Sequence, residues 1–263
     1  PFCTIEPNTG RVAVPDERLD QIAKIAKSAK VVHTQLEFVD IAGLVRGASK
    51  GEGLGNQFLG NIRECDAIAH VLRCFEDDDI THVEGGVDPL RDAETIETEL
   101  MLADLESLER RFEQVAKRAK GNDREAKEQA AVMEPLIAAL REGRPARSVA
   151  FPKEQLETVR RLQLLTDKPI MYVCNVDEGS AATGNALSAK VEEWAAGQGA
   201  GTVTIAAAIE AEVATLGPDD DQAGFLESLG LEEPGLARMI RAGYELLGLV
   251  TFFTAGPKEA RAW

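Results

Sequence analysis

The chain has 263 residues, 44% of them hydrophobic and 28% charged, with a formal net charge of -16. This is the composition of a globular protein, long enough for one large or two small domains. The acidic balance argues against non-specific coating of nucleic acid, though not against a local basic patch, and no apolar run is long enough to span a bilayer.

Pro1-Phe2-Cys3-Thr4 is no signal peptide, so the expected location is the cytoplasm. Cys3, Cys65, Cys74 and Cys174 are scattered among apolar neighbours without a C-x-x-C pair. They read as small buried hydrophobes.

The chain opens in a turn-rich loop, Pro1-Phe2-Cys3-Thr4-Ile5-Glu6-Pro7-Asn8. The Thr4 hydroxyl is either a metal ligand or a solvent-exposed loop group. Arg11 to Val14 reads as a strand, Asp16 to Lys30 as an amphipathic helix capped by Asp16, and Val32 to Asp40 as the second strand of a pair.

That second strand runs into Asp40-Ile41-Ala42-Gly43-Leu44. At the carboxyl end of a strand, where α/β proteins bind ligands, an aspartate can hold the waters of Mg²⁺. A glycine there offers an unobstructed N–H to a terminal phosphate. D-x-x-G by itself is also what a buried strand running into a turn looks like.

Gly47, Gly51, Gly53 and Gly55 then mark a loop, followed by a helix over Asn56 to Glu64. Ala67 to Phe75 is a nearly continuous apolar strand of the kind buried in a parallel sheet. Met101, Leu105, Leu108, Phe112 and Val115 recur at helical spacing, as do Ala126, Ala130, Met133, Ile137 and Leu140, with Gly121-Asn122-Asp123 between the two sets. Two narrow apolar seams with a break predict an antiparallel coiled-coil hairpin inserted between core strands.

Arg110, Arg111, Lys117, Arg118, Lys120, Arg124 and Lys127 crowd around the break. Basic charge at the end of a lever fits contact with a phosphate backbone, and it fits solvated faces with i,i+4 ion pairs equally well. Further on, Leu156 to Leu165 reads as a helix and Pro169 to Cys174 as a buried strand ending in Asn175-Val176-Asp177-Glu178. An amide followed by a carboxylate at a strand terminus can read a purine edge. Thr202 to Ala206 is a strand running into Ala207 and Ala208, Gly235 to Leu247 a helix, and Leu249 to Phe253 the start of a strand.

Taken in order, Thr4, Asp40-Ile41-Ala42-Gly43, Asn175-Val176-Asp177-Glu178 and Ala206-Ala207-Ala208 resemble the switch, metal, base-reading and final base-loop motifs of a translation-factor-type P-loop GTPase. The phrases Pro1 to Asn8, Asp40 to Val45 and Gly51 to Asn56, with the hairpin, are similar nearly word for word to the YchF-type branch of the Obg-related proteins, the Obg-like ATPases. The resemblance covers essentially the whole chain.

It implies a three-layer α/β P-loop NTPase (G-domain) fold with a mostly parallel sheet and an inserted hairpin. The implied division is 1–87 and 148–248 for the two parts of the G domain, 88–147 for the insertion and 249–263 for the lead-in to a TGS-like domain. It further implies an ATPase working with Mg²⁺. Thr4 and Asp40 would serve the metal, Gly43 the terminal phosphate, and Asn175, Val176, Glu178, Ala206, Ala207 and Ala208 the base. The implied partner is the ribosome, at its large subunit, through the basic tip.

Three departures matter. Where guanine readers carry N-K-x-D, this chain has Val176 and Glu178, which implies ATP over GTP. Leu44 stands where many GTPases carry the glutamine that orients water, and His82 resembles a family histidine that would replace it, against the plain reading of a surface histidine. No G-x-x-x-x-G-K-[ST] occurs in the chain. The family places that loop before the position of Pro1, so this chain alone is expected to be inactive.

Overall fold

The computed structural model describes residues 8–41, 54–77, 79–80, 85–121, 123–217 and 221–263, with backbone only for 54–57. Thr4, Gly43, Leu44 and His82 lie outside the described residues. In chain order the elements are β1 (Asn8–Ala13), α1 (Glu17–Ala26), β2 (Val31–Val32), β3 (Gln35–Asp40), α2 (Leu54–Glu64), β4 (Ile68–Arg73), α3 (Pro89–Lys120) and α4 (Arg124–Arg141). They continue with α5 (Leu156–Leu162), β5 (Ile170–Asn175), α6 (Ala186–Gly197), β6 (Gly201–Ile205), α7 (Ala207–Thr215), α8 (Gln222–Ser228), α9 (Gly235–Leu246), β7 (Phe253–Ala255) and β8 (Ala260–Ala262).

Two compact units are present. Of the described residues, one comprises those from 41 to 68 and from 90 to 169, the other those from 8 to 40, from 69 to 89 and from 170 to 263.

The first unit holds the hairpin. Leu108, Val132, Met133, Leu136, Ile137 and Leu140 form its buried seam, with Met101, Leu105, Phe112 and Val115 packed against it. This is the spacing read from the sequence. At the turn, Asp123 accepts the Ala126 N–H at 3.1 Å and so caps α4, and it pairs with Arg118 at 2.7 Å. Away from the tip, Arg141 staples the two helices through Glu109 at 2.7 Å.

At the root of the hairpin, α2 lies on α3 through Leu59, Ile62, Leu100 and Ala103, together with Leu165. The same root carries a buried polar hub. Asp104, 1% exposed, accepts the N–H of Leu165 at 2.9 Å, the N–H of Thr166 at 2.8 Å and the Thr166 hydroxyl at 2.7 Å. The Thr166 hydroxyl in turn accepts the Ala146 N–H at 3.1 Å, and Arg147 pairs with Glu97 at 2.9 Å. Two residues on, the Lys168 ammonium donates to the carbonyls of Arg63 and Cys65, closing the end of α2.

The second unit is a three-layer arrangement around the sheet β4-β5-β6. β5 and β6 are parallel, with Val173 opposite Val203. The bonds Ile68 N–H to Pro169 O and Cys74 N–H to Asn175 O run in the same sense, so β4 is parallel as well. Met171, Val173, Val203 and Ile205 turn to Met239, Ala242 and Leu246 of α9. Tyr172, on the opposite face, meets Trp194 of α6 edge-on at 4.9 Å.

A ribbon of β1 and β3 is antiparallel, with Asn8 opposite Asp40. A third sheet has the order β2-β8-β7.

Several elements depart from the expectations. The single strand expected over Val32 to Asp40 is two: Val31–Val32 pairs with β8, and Gln35–Asp40 pairs with β1. The chain thus serves two sheets with one stretch. α1 ends early because Lys27 takes a left-handed φ of 51°, and α5 ends early because Gln163 does the same at 53°.

β4 is not buried on both faces. Leu72 is 2% exposed while Val71 is 58% exposed, so the strand alternates. No strand runs through Leu249 to Phe252. Gly248 turns the chain at a φ of 61°, and β7 starts at Phe253, where Ala262 of β8 is opposite.

Cys74, just past the end of β4, and Cys174 of β5 are distant in sequence but neighbours in the structure. The Cys74 thiol beside it, together with burial, pushes the Cys174 thiol far up.

Asp104 tests the hub. Burial pushes its carboxyl above the ordinary range against the three donors it accepts. Asp104→Ala would leave buried donors on Leu165 and Thr166 without an acceptor, costing about 3 kcal/mol or more in urea unfolding. Asp104→Asn, which keeps a carbonyl oxygen, is expected to cost less. A destabilisation below about 1 kcal/mol for the alanine variant would show that the donors find other partners.

Candidate functional site

The carboxyl ends of β5 and β6 bring Asn175, Val176, Glu178, Ala206, Ala207 and Ala208 together in the second unit. The parallel register requires this, since Asn175 stands opposite Ile205 and the segments that follow leave the sheet side by side. Val176, 3% exposed, donates its N–H to Ile205 O at 2.8 Å. Its side chain therefore forms part of the floor rather than reaching outward as a lysine would.

Ala206 sits at the N-cap of α7 and has no side-chain oxygen to offer the helix. Asn175 makes up the deficit from the neighbouring strand: its Oδ1 accepts the Ala207 N–H at 2.9 Å. The carbonyl half of the amide is thereby engaged, and its NH₂ is the half left for a ligand acceptor. An amide that both donates to and accepts from a base, as the sequence allows, would use the second lone pair of this oxygen.

The two acids after Asn175 have different duties. Asp177 accepts the N–H of Ser180 at 3.1 Å and its hydroxyl at 2.9 Å. The Ser180 hydroxyl bond above all holds its carboxyl below the usual range. Asp177 is the cap of its own turn. Glu178, the next residue, is exposed, and its carboxylate has no hydrogen bond or ion pair among the described residues.

Two supporting residues were not singled out from the sequence. Asn185 caps α6 with a reciprocal Ser188 bond, and its amide donates to Cys74 O at 2.7 Å, tying α6 to the end of β4. The pattern Asn185-Ala186-Leu187-Ser188 was legible as a capping box. Glu210 of α7 accepts the N–H groups of Gly235 and Leu236 at 2.7 and 3.0 Å, and so caps α9. A capping residue 25 positions away leaves no local signal.

Past β4, the Arg73 guanidinium donates to the carbonyls of Phe75, Asp77 and Ile80 at 3.0, 3.0 and 2.9 Å. It thereby holds the described residues just after β4.

Asp40 ends β3 on the separate β1-β3 ladder, exposed and without an ion pair among the described residues. A free carboxylate at a strand end suits a cation held through water. Among the described residues there is no group of three or more side chains able to bind a metal directly.

Expected behaviour of Asn175→Ala follows from the tether. It would free the Ala207 N–H and loosen the start of α7, visible as faster amide exchange at Ala207 with little change across β5. Unchanged exchange at Ala207 would count against the capping role.

Residues 1–103 match a family model described as 50S ribosome-binding GTPase. The chain is 56% identical over 263 residues to the ribosome-binding ATPase YchF of Haemophilus influenzae, covering 100% of this chain and 72% of the relative. It is 52% identical over 265 residues to the protein of the same name from Bacillus subtilis, with the same coverage. The solved structure of the Schizosaccharomyces pombe YchF GTPase superposes with a TM-score of 0.85 at 34% identity, covering 100% of this chain and 71% of that one. The chain belongs to the YchF family of Obg-like proteins, in the P-loop GTPase superfamily.

Proposed function

We propose that this chain is the core of a nucleotide-dependent switch that binds and hydrolyses ATP in preference to GTP, with Mg²⁺, and docks on the large ribosomal subunit. The observation that carries the base reading is the division of labour after β5. Asn175 is tethered at Ala207 with its NH₂ free, Asp177 is consumed as a turn cap, and the carboxylate left is the longer Glu178. Guanine recognition needs a carboxylate at the fourth position of the motif, set to accept two N–H groups. The longer arm of Glu178 and the buried Val176 disfavour that pairing.

The relatives' names differ on the base, ATPase for the bacterial proteins and GTPase for the yeast structure. The residues of this chain favour adenine.

Asp40 and Thr4 would hold Mg²⁺, which supplies neutralisation of phosphate charge. Gly43 would meet the terminal phosphate, and His82 would position the attacking water in place of a glutamine. A second reading, a nucleotide-gated binding protein whose hydrolysis is incidental, is favoured by Leu44, which has no group that can orient water.

For the ribosome, the relatives' names and the hairpin tip give support. Arg110, Arg118 and Arg124 are paired with Glu106, Asp123 and Glu128, and Arg111 donates to Leu162 O at 3.0 Å. Lys117 and Lys120 are exposed and have no ion pair among the described residues. They are the cations most available to RNA phosphates.

Fluorescent ATP and GTP analogues titrated with Mg²⁺ test the base reading, using this chain and a version extended upstream by a relative's phosphate loop. The expected result is tight binding by the extended form with ATP preferred; a GTP preference would overturn the assignment of Glu178. In the same extended form, His82→Ala should keep nucleotide affinity and lose most of its turnover, and retained turnover would favour the second reading.

Lys117→Glu with Lys120→Glu should weaken binding to large subunits and flatten its salt dependence by about one unit of log–log slope for each phosphate no longer neutralised. Unchanged binding would put the docking surface elsewhere.

A further inference from the structure

β6 is an edge strand among the described residues, and its edge is open. Val176 N–H bonds to Ile205 O, and the parallel register pairs Val173 with Val203 and Asn175 with Ile205. Alternate residues therefore turn their backbone groups to β5, and Thr202 and Thr204 turn theirs the other way. Those backbone groups have no partner among the described residues.

The usual guards of an edge are absent. Gly201 to Ile205 contains no lysine, proline or inward charge, and apart from Gly201 it holds only residues that favour strands.

The edge lies at the bottom of a cavity of about 430 Å³ lined by Thr202 to Thr204, Arg238, Arg241, Ala242, Glu245, Glu192 and the turn at Ala182 to Gly184. α6 supplies one wall and α9 the other. Ala242 is the small member of the α9 stripe Arg238, Arg241, Ala242, Glu245, and it leaves room between the charged neighbours.

The charges are not equivalent. Arg241 is held by Glu233 and feels Glu245 as well. Glu192 accepts the Thr204 hydroxyl at 3.3 Å. Arg238 feels Glu233 only at a distance, and its buried Nε has no hydrogen-bond partner. The cavity therefore offers two strand-spaced sets of backbone donors and acceptors, about 6.6 Å apart, beside the Arg238 guanidinium, which lines it and has no ion pair among the described residues.

We propose that the β6 edge is a binding site for an extended peptide segment carrying a carboxylate side chain. The segment adds as a further strand against Thr202 and Thr204, and its carboxylate meets Arg238. The two-residue repeat of the open backbone groups selects a polypeptide over a small anion. The Arg238 guanidinium, which unlike Arg241 has no ion pair among the described residues, selects an acidic segment over a neutral one. Main-chain bonds would supply the affinity and the side-chain contact the specificity.

The probe is a capped hexapeptide of alternating valine and threonine with glutamate in place of its second threonine, compared with the same peptide carrying glutamine there. Amide NMR of the ¹⁵N-labelled chain should show saturable shifts at Thr202 and Thr204, with the glutamate peptide bound about tenfold more tightly, the value of one charge-assisted hydrogen bond. Arg238→Gln should abolish that preference while leaving the glutamine peptide's affinity as it was. N-methylation of the peptide amides on the paired edge should abolish binding, and N-methylation of the opposite amides should not.

Absence of shifts at β6 overturns the proposal. So does an equal response to acetate alone, which would make the site a small-anion site, and so do shifts that grow with protein concentration without peptide, which would make a second copy the occupant. A glutamate preference that survives Arg238→Gln overturns the role of Arg238.

Discussion

The buried carboxylate of Asp104 is the constraint on which the first unit depends. A charge or proton held at 1% exposure is tolerable only when its lone pairs are filled, and Asp104 fills them with three donors from two consecutive residues, Leu165 and Thr166. The consequence is geometric. A long lever such as α3 would swing if only apolar contacts held its root, because those contacts have no direction. Hydrogen bonds do have direction, and here they fix the lever to the turn that leads into β5. Lys168, in that same turn, fixes the end of α2. One short turn is thus the meeting point of the hairpin and α2.

At the carboxyl ends of β5 and β6 the same economy of polar groups explains which side chains are available to a ligand. Of the candidate polar groups after β5, the Asn175 carbonyl is engaged at Ala207 and both Asp177 oxygens at Ser180. What remains is an NH₂ and the carboxylate of Glu178. An ensemble of acids in a loop has no specificity, because each can rotate to meet any donor. Fixing all but one leaves Glu178 as the acid free to turn to a ligand's donor. The alanines at 206 to 208 contribute by being small and by presenting backbone.

The hairpin tip follows a similar logic at its surface. Its arginines are largely spent on the hairpin's own geometry, by pairing within a helix, across the turn to Asp123 or back to Leu162. The charge left over is that of lysines, whose flexible, well-hydrated ammonium groups suit sequence-independent contact with phosphates. The two views of the basic cluster drawn from the sequence, solvated helix faces and a phosphate-binding tip, thus apply to different residues of it.

The sequence by itself determined the parts whose signals are local. The apolar seams of α3 and α4 and the apolar run of β5 with Asn175 at its end were legible, because periodicity and turn chemistry act over a few residues. Tertiary structure alone decided the rest. Which half of Val31 to Asp40 joins which sheet depended on β8, far along the chain. That Val71 stands exposed while Leu72 is buried depended on which face of β4 found cover. That Asp177 would be spent and Glu178 free, that Asn175 would cap α7 for want of a hydroxyl at Ala206, and that Glu210 would cap α9, depended on hydrogen bonds that residue type alone does not assign. A side chain's type announces what it can bond to, but only packing decides which partner comes within about 3 Å, and so which groups remain for function.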